Sequence, residues 1–229
     1  MAPYALAADE SCRKVKIGSM DITAHESLTW KYILNQLISG QDLGSRHVDW
    51  AMDEIMTGST PEPILASFLT SLHMKGETSE ELGALARGML AKAETIDLDV
   101  HAVDIVGTGG DQQNTVNIST MAALVIAGTG ATVVKHGNRA STSKSGSADV
   151  LEALGIQLDM PIKSVAACAR QVGITFLFAM TFHPSMRFVG PTRKMLGIPT
   201  AFNYLGPMTN PARVSSSAIG VANPQMVEK

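Results

Sequence analysis

Apolar residues recur at every third or fourth position between Ser27 and about Lys92, which is the spacing of one face of an α-helix. Thr78 with Glu81 three positions later is the signature of a helix whose first residues cap one another through side chain and backbone. The pattern therefore predicts four short amphipathic helices, with apolar stripes that begin near Trp30, Val48, Ile64 and Leu82.

The pattern changes beyond His101 to short β-branched or apolar runs that alternate with helical segments. The predicted strands are AVDIV, ATVVKH, ITFLFAM, PTAFNYLG and SSAIGVA, and the predicted connecting helices cover 121–128, 148–154, 163–172 and 186–196. Such alternation is typical of an α/β domain with a mainly parallel sheet. We predict a loose N-terminal arm over 1–26, a small helical domain over 27–95 and a larger α/β domain over 100–229.

Composition narrows the class of protein. With 45% hydrophobic and 17% charged residues, a chain of 229 residues is expected to fold around a sizeable core. The net charge of −3 and the absence of a long Lys/Arg run argue against a nucleic-acid partner and favour small anionic substrates. Cys12 and Cys168 show no metal-ligand spacing and suggest reduced thiols. The N-terminal segment resembles no signal peptide and no apolar run is long enough to span a bilayer, so we expect a cytoplasmic protein without a membrane partner.

A glycine-rich segment, DIVGTGGDQQNTVNIST, follows the first predicted strand. Gly107, Gly109 and Gly110 leave the backbone bare, so an anion can approach the amides closely. Its spacing is neither that of a dinucleotide fingerprint nor that of a P-loop, and a tight turn alone would also explain it. Polar residues then lead into the next helix, and together with the glycines they predict a phosphate cradle: Asn114, Thr115, Asn117, Ser119 and Thr120.

The second predicted strand ends in a similar segment, VVKHGNRASTSKSGSADVLEALG. Lys135, Arg139 and Lys144 place cations beside small and hydroxyl residues, a composition suited to a polyanion, although a solvated basic loop is the alternative. Two cradles at successive strand ends favour one shared, phosphate-rich ligand. His136 is either a ligand contact or a packed ring.

A third segment, TFHPSMRFVGPTRKMLGIPTAFNYLGPMTNPA, contributes His183, Arg187, Arg193 and Lys194. Cations on a helix usually form a solvated face. Arg193, however, falls on the same predicted helix face as Met186 and Val189. A guanidinium above an apolar wall suits a flat aromatic carboxylate.

These segments, in this order, resemble anthranilate phosphoribosyltransferase, and the resemblance runs from about Trp30 to Val227. It implies a nucleoside phosphorylase/phosphoribosyltransferase-like fold and a homodimer formed through the N-terminal helices. It also implies transfer of the phosphoribosyl group from phosphoribosyl pyrophosphate (PRPP) to the amine of anthranilate, with Mg²⁺ as cofactor. Departure of pyrophosphate needs no protein nucleophile or acid–base residue, so we expect no covalent intermediate.

The resemblance implies three sets of site residues. Those expected to bind PRPP are Gly107, Gly110, Asp111, Thr115, Asn117, Ile118, Ser119, Thr120, Lys135, His136, Gly137, Asn138, Arg139, Ser141, Thr142, Ser143 and Ser147. Those expected to contact anthranilate are Gly107, Asn138, His183 and Arg193. Ser119 is expected to touch the magnesium ion as well.

The family pattern also continues beyond the position that matches Lys229, into a G-x-D-E segment whose acids bind magnesium. We therefore expect an incomplete α/β domain with an uncovered edge strand and apolar surface, and weak or absent activity of this chain alone. Two other hypotheses are a pyrimidine nucleoside phosphorylase, disfavoured by KHGNR and HPSMRFVGPTRK, and a noncatalytic nucleic-acid-binding relative, disfavoured by the net charge of −3.

Overall fold

The computed structural model describes residues 28–109, 116–140 and 145–229. Its first part consists of four helices, as predicted: α1 (Trp30–Ile38), α2 (Ser45–Thr57), α3 (Glu62–Lys75) and α4 (Ser79–Ala91). The predicted capping box starts α4, where the Glu81 amide donates to Thr78 Oγ1 (3.1 Å) and the Thr78 amide donates to Glu81 Oε2 (2.9 Å). Gly88 permits α4 to approach α2, because a Cβ there would lie 2.6 Å from Met52 Cβ.

The core of the four helices also includes residues from much later in the chain. Val189, Ala201, Phe202 and Leu205 are buried in the same cluster as the apolar faces of α1 to α4. The third site segment is thus fixed by apolar packing against the helices, while the sheet holds the first two segments.

The second part is built on a four-stranded, all-parallel sheet in the order β3-β2-β1-β4, which confirms the predicted α/β fold. The strands are β1 (Ala102–Gly107), β2 (Thr132–Gly137), β3 (Ile174–Phe178) and β4 (Ser216–Gly220). The helices are α5 (Ile118–Gly128), α6 (Ser147–Ala153), α7 (Ile162–Val172), α8 (Ala179–Phe182), α9 (Gly190–Leu196) and α10 (Phe202–Met208), and short 3₁₀ turns cover Pro184–Phe188 and Pro224–Met226.

Two predicted elements are wrong. PTAFNYLG is not a strand: Phe202–Met208 is helix α10, because Phe202 and Leu205, three positions apart, both pack into the helical core. The predicted helix over 186–196 is divided at Val189, where a 3₁₀ turn gives way to α9. Pro191 stands in the first turn of α9, a position that proline favours because its missing N–H is not needed there.

The expected edge strand and exposed apolar residues are both present. β4 lies at its edge with all five residues exposed. Apolar residues on and just before the helix that packs against β1 and β2, α5, are exposed as well, at 40% or more of their area: Val116, Ile118, Met121, Leu124 and Val125. Across the described ranges, none of the helices combines the length and the apolar character that crossing a membrane would require.

Candidate functional site

The carboxyl ends of β1 and β2 lie side by side and carry the first two predicted segments. Gly107 and Gly137 are the last residues of these strands. The loop after β1 is tied to β4, since the Thr108 amide donates to the Gly220 carbonyl (2.9 Å). Gly109 has φ +65°, a left-handed conformation that favours glycine. Six of the predicted PRPP-binding residues lie outside the described residues: Gly110, Asp111, Thr115, Ser141, Thr142 and Ser143.

Asn117 joins the two segments directly. It stands immediately before α5, and its Nδ2 donates to the carbonyls of Ser145 (3.2 Å) and Gly146 (3.3 Å) in the second segment. The Thr120 hydroxyl donates to Asn117 Oδ1 (3.4 Å), which orients the amide. The structure therefore brings the two predicted cradles together at one edge of the sheet, with Ile118 exposed at the start of α5.

Lys135 lies beneath the first segment. Its side chain is 3% exposed, and its Nζ donates to the Ile105 carbonyl and to Ser119 Oγ (3.1 Å). Burial lowers the pKa of Lys135 to about 8, and the carboxylate of Asp104 opposes that shift. The ammonium is therefore still the main form near pH 7, held inside the protein beside the Ser119 hydroxyl.

Asp104 and Asn210 complete this buried network, and neither was predicted from the sequence as a site residue. Asp104 is fully buried; its Oδ2 accepts from Asn210 Nδ2 (2.8 Å) and its Oδ1 from the His136 amide (3.2 Å). Burial raises the pKa of Asp104, while Asn210, Lys135 and the His136 amide oppose the rise. One signal was available, because Asp104 alternates with Ala102 and Val106 on the buried face of β1.

In the second segment, backbone amides donate hydrogen bonds to Asp149 instead of being free for a ligand. Asp149 Oδ2 accepts from the amides of Ala140 (2.8 Å) and Gly146 (2.6 Å), and these bonds lower the pKa of Asp149. The Asn138 carbonyl accepts from the Ala148 amide (3.2 Å). Gly146 must be glycine, since a Cβ would lie 2.4 Å from the Ala140 nitrogen. The described ends of the loop, residues 138–140 and Gly146, therefore lie close to the start of α6.

Arg139 and Ser147 flank that loop. Arg139 donates to both oxygens of Glu152 (2.6 and 3.1 Å) and lies over the Phe178 ring, 4.9 Å from its centre. Arg139, which was predicted to bind an anionic substrate, is thus already paired with Glu152 of the protein itself. Ser147 is the first residue of α6 and lies near Gly137, where an added Cβ would lie 3.4 Å from Ser147 Cβ.

His136 and His183 form a buried pair whose ring centres are 5.1 Å apart. The Gly206 carbonyl accepts from His136 Nδ1 and the Thr209 carbonyl from His183 Nε2, both at 3.0 Å. Since a carbonyl only accepts, each ring carries its proton on the bonded nitrogen. His136 Nε2 and His183 Nδ1 are buried without a hydrogen-bond partner in the described part of the chain. Burial lowers the pKa of His136 to about 3 and of His183 to about 4.

Arg193 on α9 is held over an aromatic ring. Its guanidinium carbon lies 5.8 Å from the centre of the Phe202 ring, and Nη2 donates to Asn203 Oδ1 (3.2 Å). Burial lowers the pKa of Arg193 from its ordinary value. The guanidinium above an apolar wall, expected from the sequence, is present, although the wall is Phe202 of α10.

These residues supply only some of the ligands that a magnesium ion needs. Ser119 offers a hydroxyl oxygen, the type of ligand that Mg²⁺ prefers, but Lys135 Nζ donates to the same oxygen. In the described ranges there is no group of three or more His, Cys, Asp and Glu side chains that could hold a metal ion. Remaining ligands would have to come from phosphate oxygens of a substrate, from water or from outside the described residues.

Two family models match this chain. The helical bundle domain of a glycosyl transferase family matches residues 31–93, and the a/b domain of a glycosyl transferase family matches residues 99–229. Together they span the four helices and the sheet.

Curated proteins named anthranilate phosphoribosyltransferase are similar to this chain. An anthranilate phosphoribosyltransferase from Arthrobacter sp. (strain FB24) is 59% identical over 198 residues, which are 86% of this chain and 56% of the relative. One from Rhodococcus jostii (strain RHA1) is 55% identical over 199 residues, 87% of this chain and 55% of the relative. The chain thus spans little more than half the length of these relatives.

Solved structures agree with the curated relatives. The crystal structure of anthranilate phosphoribosyltransferase from Thermus thermophilus has a TM-score of 0.81 and 42% identity, covering 86% of this chain and 60% of that one. The enzyme from Saccharomyces cerevisiae in complex with PRPP and Mg has a TM-score of 0.81 and 33% identity, covering 89% and 61%. The resemblance expected from the sequence is confirmed.

Proposed function

This chain belongs to the glycosyl transferase family whose helical bundle and a/b domains it matches, and from that membership we propose that it serves the anthranilate phosphoribosyltransferase reaction. The phosphoribosyl group of PRPP would pass to the amine of anthranilate, giving phosphoribosylanthranilate and pyrophosphate in tryptophan biosynthesis. One structural observation carries the proposal: Asn117 bonds the loop after β1 to the loop after β2. A single ligand can then contact both.

The two joined loops would hold PRPP. The segment from Gly107 to Thr120 would bind its phosphates and ribose, and the segment from Lys135 to Ser147 would lie over the phosphoribosyl group. Lys135 reaches Ser119 from below, so its ammonium adds positive charge beneath the first loop. Positive charge at that place favours a polyanion, and it acts strongly because Lys135 is 3% exposed.

Anthranilate would be positioned by Asn138 and Arg193, with Gly107 and His183 nearby. The Arg193 guanidinium can pair in a planar, bidentate manner with the carboxylate, while Phe202 supports it from the other side. An aromatic amine is already neutral near pH 7. It can attack the ribose C1 without a protein base, so holding it close to C1 supplies much of the advantage.

The proposed chemistry is a displacement at C1. The bond from C1 to the pyrophosphate oxygen breaks as the amine nitrogen forms its bond to C1, and pyrophosphate leaves with the bonding electrons. The nitrogen afterwards gives up its proton to water or to the departing pyrophosphate. Mg²⁺, when bound, neutralises pyrophosphate charge, and Ser119 is the described residue that would contact it. Preorganised amides and cations stabilise the same charge.

We further propose a cytoplasmic homodimer formed through the N-terminal helices, without a nucleic-acid or membrane partner. Sedimentation velocity of the 229-residue chain at several concentrations tests the dimer. A substitution in α1 to α4 that abolishes it would support this interface, and a monomer at all concentrations would contradict it.

Calorimetric titration of the chain with PRPP in Mg²⁺ buffer tests the function. Asn117→Ala should weaken PRPP binding by about tenfold, since it frees the two loops from one another. Asn35→Ala, the same change at an exposed position of α1, should leave binding unchanged. Loss of anthranilate fluorescence on mixing with Mg²⁺ and PRPP would then show turnover.

Other outcomes would contradict the proposed function. If the wild-type chain does not bind PRPP and causes no loss of anthranilate fluorescence, the proposed function is wrong for this chain. Phosphate-dependent cleavage of thymidine or uridine would instead support the nucleoside phosphorylase hypothesis, and salt-sensitive retention on single-stranded DNA the nucleic-acid-binding one.

A further inference from the structure

The pairing between β1 and β2 stops early. The two strands pair at Ala102–Thr132 and Val103–Val133, whereas β1 with β4 and β2 with β3 each remain paired through five positions to their carboxyl ends. Over the described positions 104–107 and 134–137, the backbone N–H and C=O groups of β1 and β2 that face each other are therefore not hydrogen-bonded to each other. Buried backbone groups need hydrogen-bond partners, so other groups must supply them.

Side chains supply those partners. The Ile105 carbonyl of β1 accepts from Lys135 Nζ, and the Val134 carbonyl of β2 accepts from Asn210 Nδ2 (2.9 Å). The His136 amide of β2 donates to Asp104 Oδ1 (3.2 Å). Every one of these bonds lies at the edge where β1 faces β2.

Asp104 and Asn210 are also bonded to each other and to the chain behind them. Asn210 Nδ2 donates to Asp104 Oδ2 (2.8 Å), and Asn210 Oδ1 accepts from the Ala212 amide (2.9 Å). Asp104 is fully buried and Asn210 is 7% exposed. Both ends of the Asn210 amide are therefore in use, and the pair is held in place by its own hydrogen bonds.

We propose that Asp104 and Asn210 are positioning residues that hold β1 and β2 apart at their carboxyl ends and thereby set the spacing between the two ligand loops. The loops follow Gly107 and Gly137, which end β1 and β2 three residues after Asp104 and one residue after His136, so the separation of the strands bears on where the loops start. The consequence for ligands rests on the proposed function. A ligand that spans both loops depends on their spacing, while one that contacts the first loop alone does not.

PRPP and inorganic pyrophosphate provide these two probes. Under the proposed function PRPP reaches both loops, whereas pyrophosphate reaches only the loop after β1. In Mg²⁺ buffer, calorimetric titration of Asn210→Ala and of Asp104→Asn should show PRPP affinity about tenfold below wild type, with pyrophosphate affinity within twofold. The exchanged pair Asp104→Asn/Asn210→Asp restores the bond between positions 104 and 210 and should recover part of the lost PRPP affinity.

The matched control is Thr175→Val. Thr175 is buried on β3 in the same sheet, and its hydroxyl donates to the Val165 carbonyl (3.1 Å), away from the edge between β1 and β2. It should lose stability without a selective loss of PRPP affinity. Equal weakening of both probes in the Asp104 and Asn210 variants, or no weakening of either, would overturn the proposal.

A failure of the proposed function is recognisable separately. If the wild-type chain binds neither probe, that function fails, and crystal structures of the exchanged pair and of Asn210→Ala decide the positioning role. A changed separation between the Cα atoms of Gly107 and Gly137 in Asn210→Ala, with a smaller change in the exchanged pair, supports it. A separation in Asn210→Ala that equals that of wild type overturns it.

Discussion

His136 and His183 should make the free energy of unfolding fall steeply as the pH drops below neutrality. Burial lowers the pKa of His136 to about 3, with the neighbouring His183 adding to the shift, and burial lowers the pKa of His183 to about 4. In the unfolded chain an imidazole titrates near pH 6.5. Above that value both states are neutral. Below it the unfolded state binds more protons than the folded state, so stability falls with falling pH until the folded pKa is reached.

The size of the effect follows from these pKa values. At pH 5.5 each histidine costs about 1.4 kcal/mol of unfolding free energy, and at pH 4.5 the two together cost about 5 kcal/mol. Since a domain typically has about 5–15 kcal/mol in total, much of the stability would be lost by pH 4.5. The two rings are 2% exposed, so solvent screening reduces these values little.

Two substitutions remove the titration and keep the hydrogen bonds. In His136→Asn the amide nitrogen replaces Nδ1 as donor to the Gly206 carbonyl, and in His183→Gln it replaces Nε2 as donor to Thr209. Urea unfolding followed by circular dichroism at pH 7.5, 5.5 and 4.5 gives the free energies. From pH 7.5 to 5.5 the decrease in stability should be about 1.4 kcal/mol smaller in each single variant and about 3 kcal/mol smaller in the double variant.

The comparison is between variants, so other titrating groups largely cancel. Asp104, whose pKa is raised by burial, acts in the opposite direction in all of them, and the lowered pKa of Asp149 matters mainly below the range measured. If the double variant loses as much stability as wild type between pH 7.5 and 5.5, the two imidazoles are not buried in the neutral form and the reasoning is refuted.

Three further predictions concern other parts of the structure. Gly146→Ala places a Cβ 2.4 Å from the Ala140 nitrogen and should destabilise the protein by about 2 kcal/mol, seen as a lower Tm; an unchanged Tm would contradict the close approach. Glu81→Gln removes the charge that pairs with Lys75 Nζ at 2.8 Å in a buried position and should cost about 3 kcal/mol in urea unfolding, whereas a cost below about 1 kcal/mol would show the pair to be unimportant. Under the proposed function, Arg193→Lys should raise the KM for anthranilate about tenfold and leave the KM for PRPP nearly unchanged, and equal effects on both would refute its assignment.

Periodicity predicted the helices and most strands because the apolar residues of those elements meet one partner surface. PTAFNYLG was assigned wrongly because a short apolar run does not distinguish a strand from one buried turn of helix. Phe202 and Leu205 are also three positions apart, and only the packing of α10 against the distant N-terminal helices decides between the two. The division at Val189 had a local signal, Gly190 followed by Pro191, which typically starts a helix.

The base of the candidate site was harder to predict than its loops, for a physical reason. Glycine and hydroxyl residues reveal a loop through composition, but Asp104 stands in a run that otherwise indicates an ordinary strand. A carboxylate on the buried face of a strand loses hydration, and it is tolerated only when partners such as Asn210 and the His136 amide replace the lost water. Those partners are distant in sequence and could not be identified from it. A charged residue on the buried face of a strand, close to the carboxyl end of that strand, is therefore itself evidence for a buried polar network beneath a binding site. Its presence distinguishes a glycine-rich loop that binds a ligand from a glycine turn that only reverses the chain.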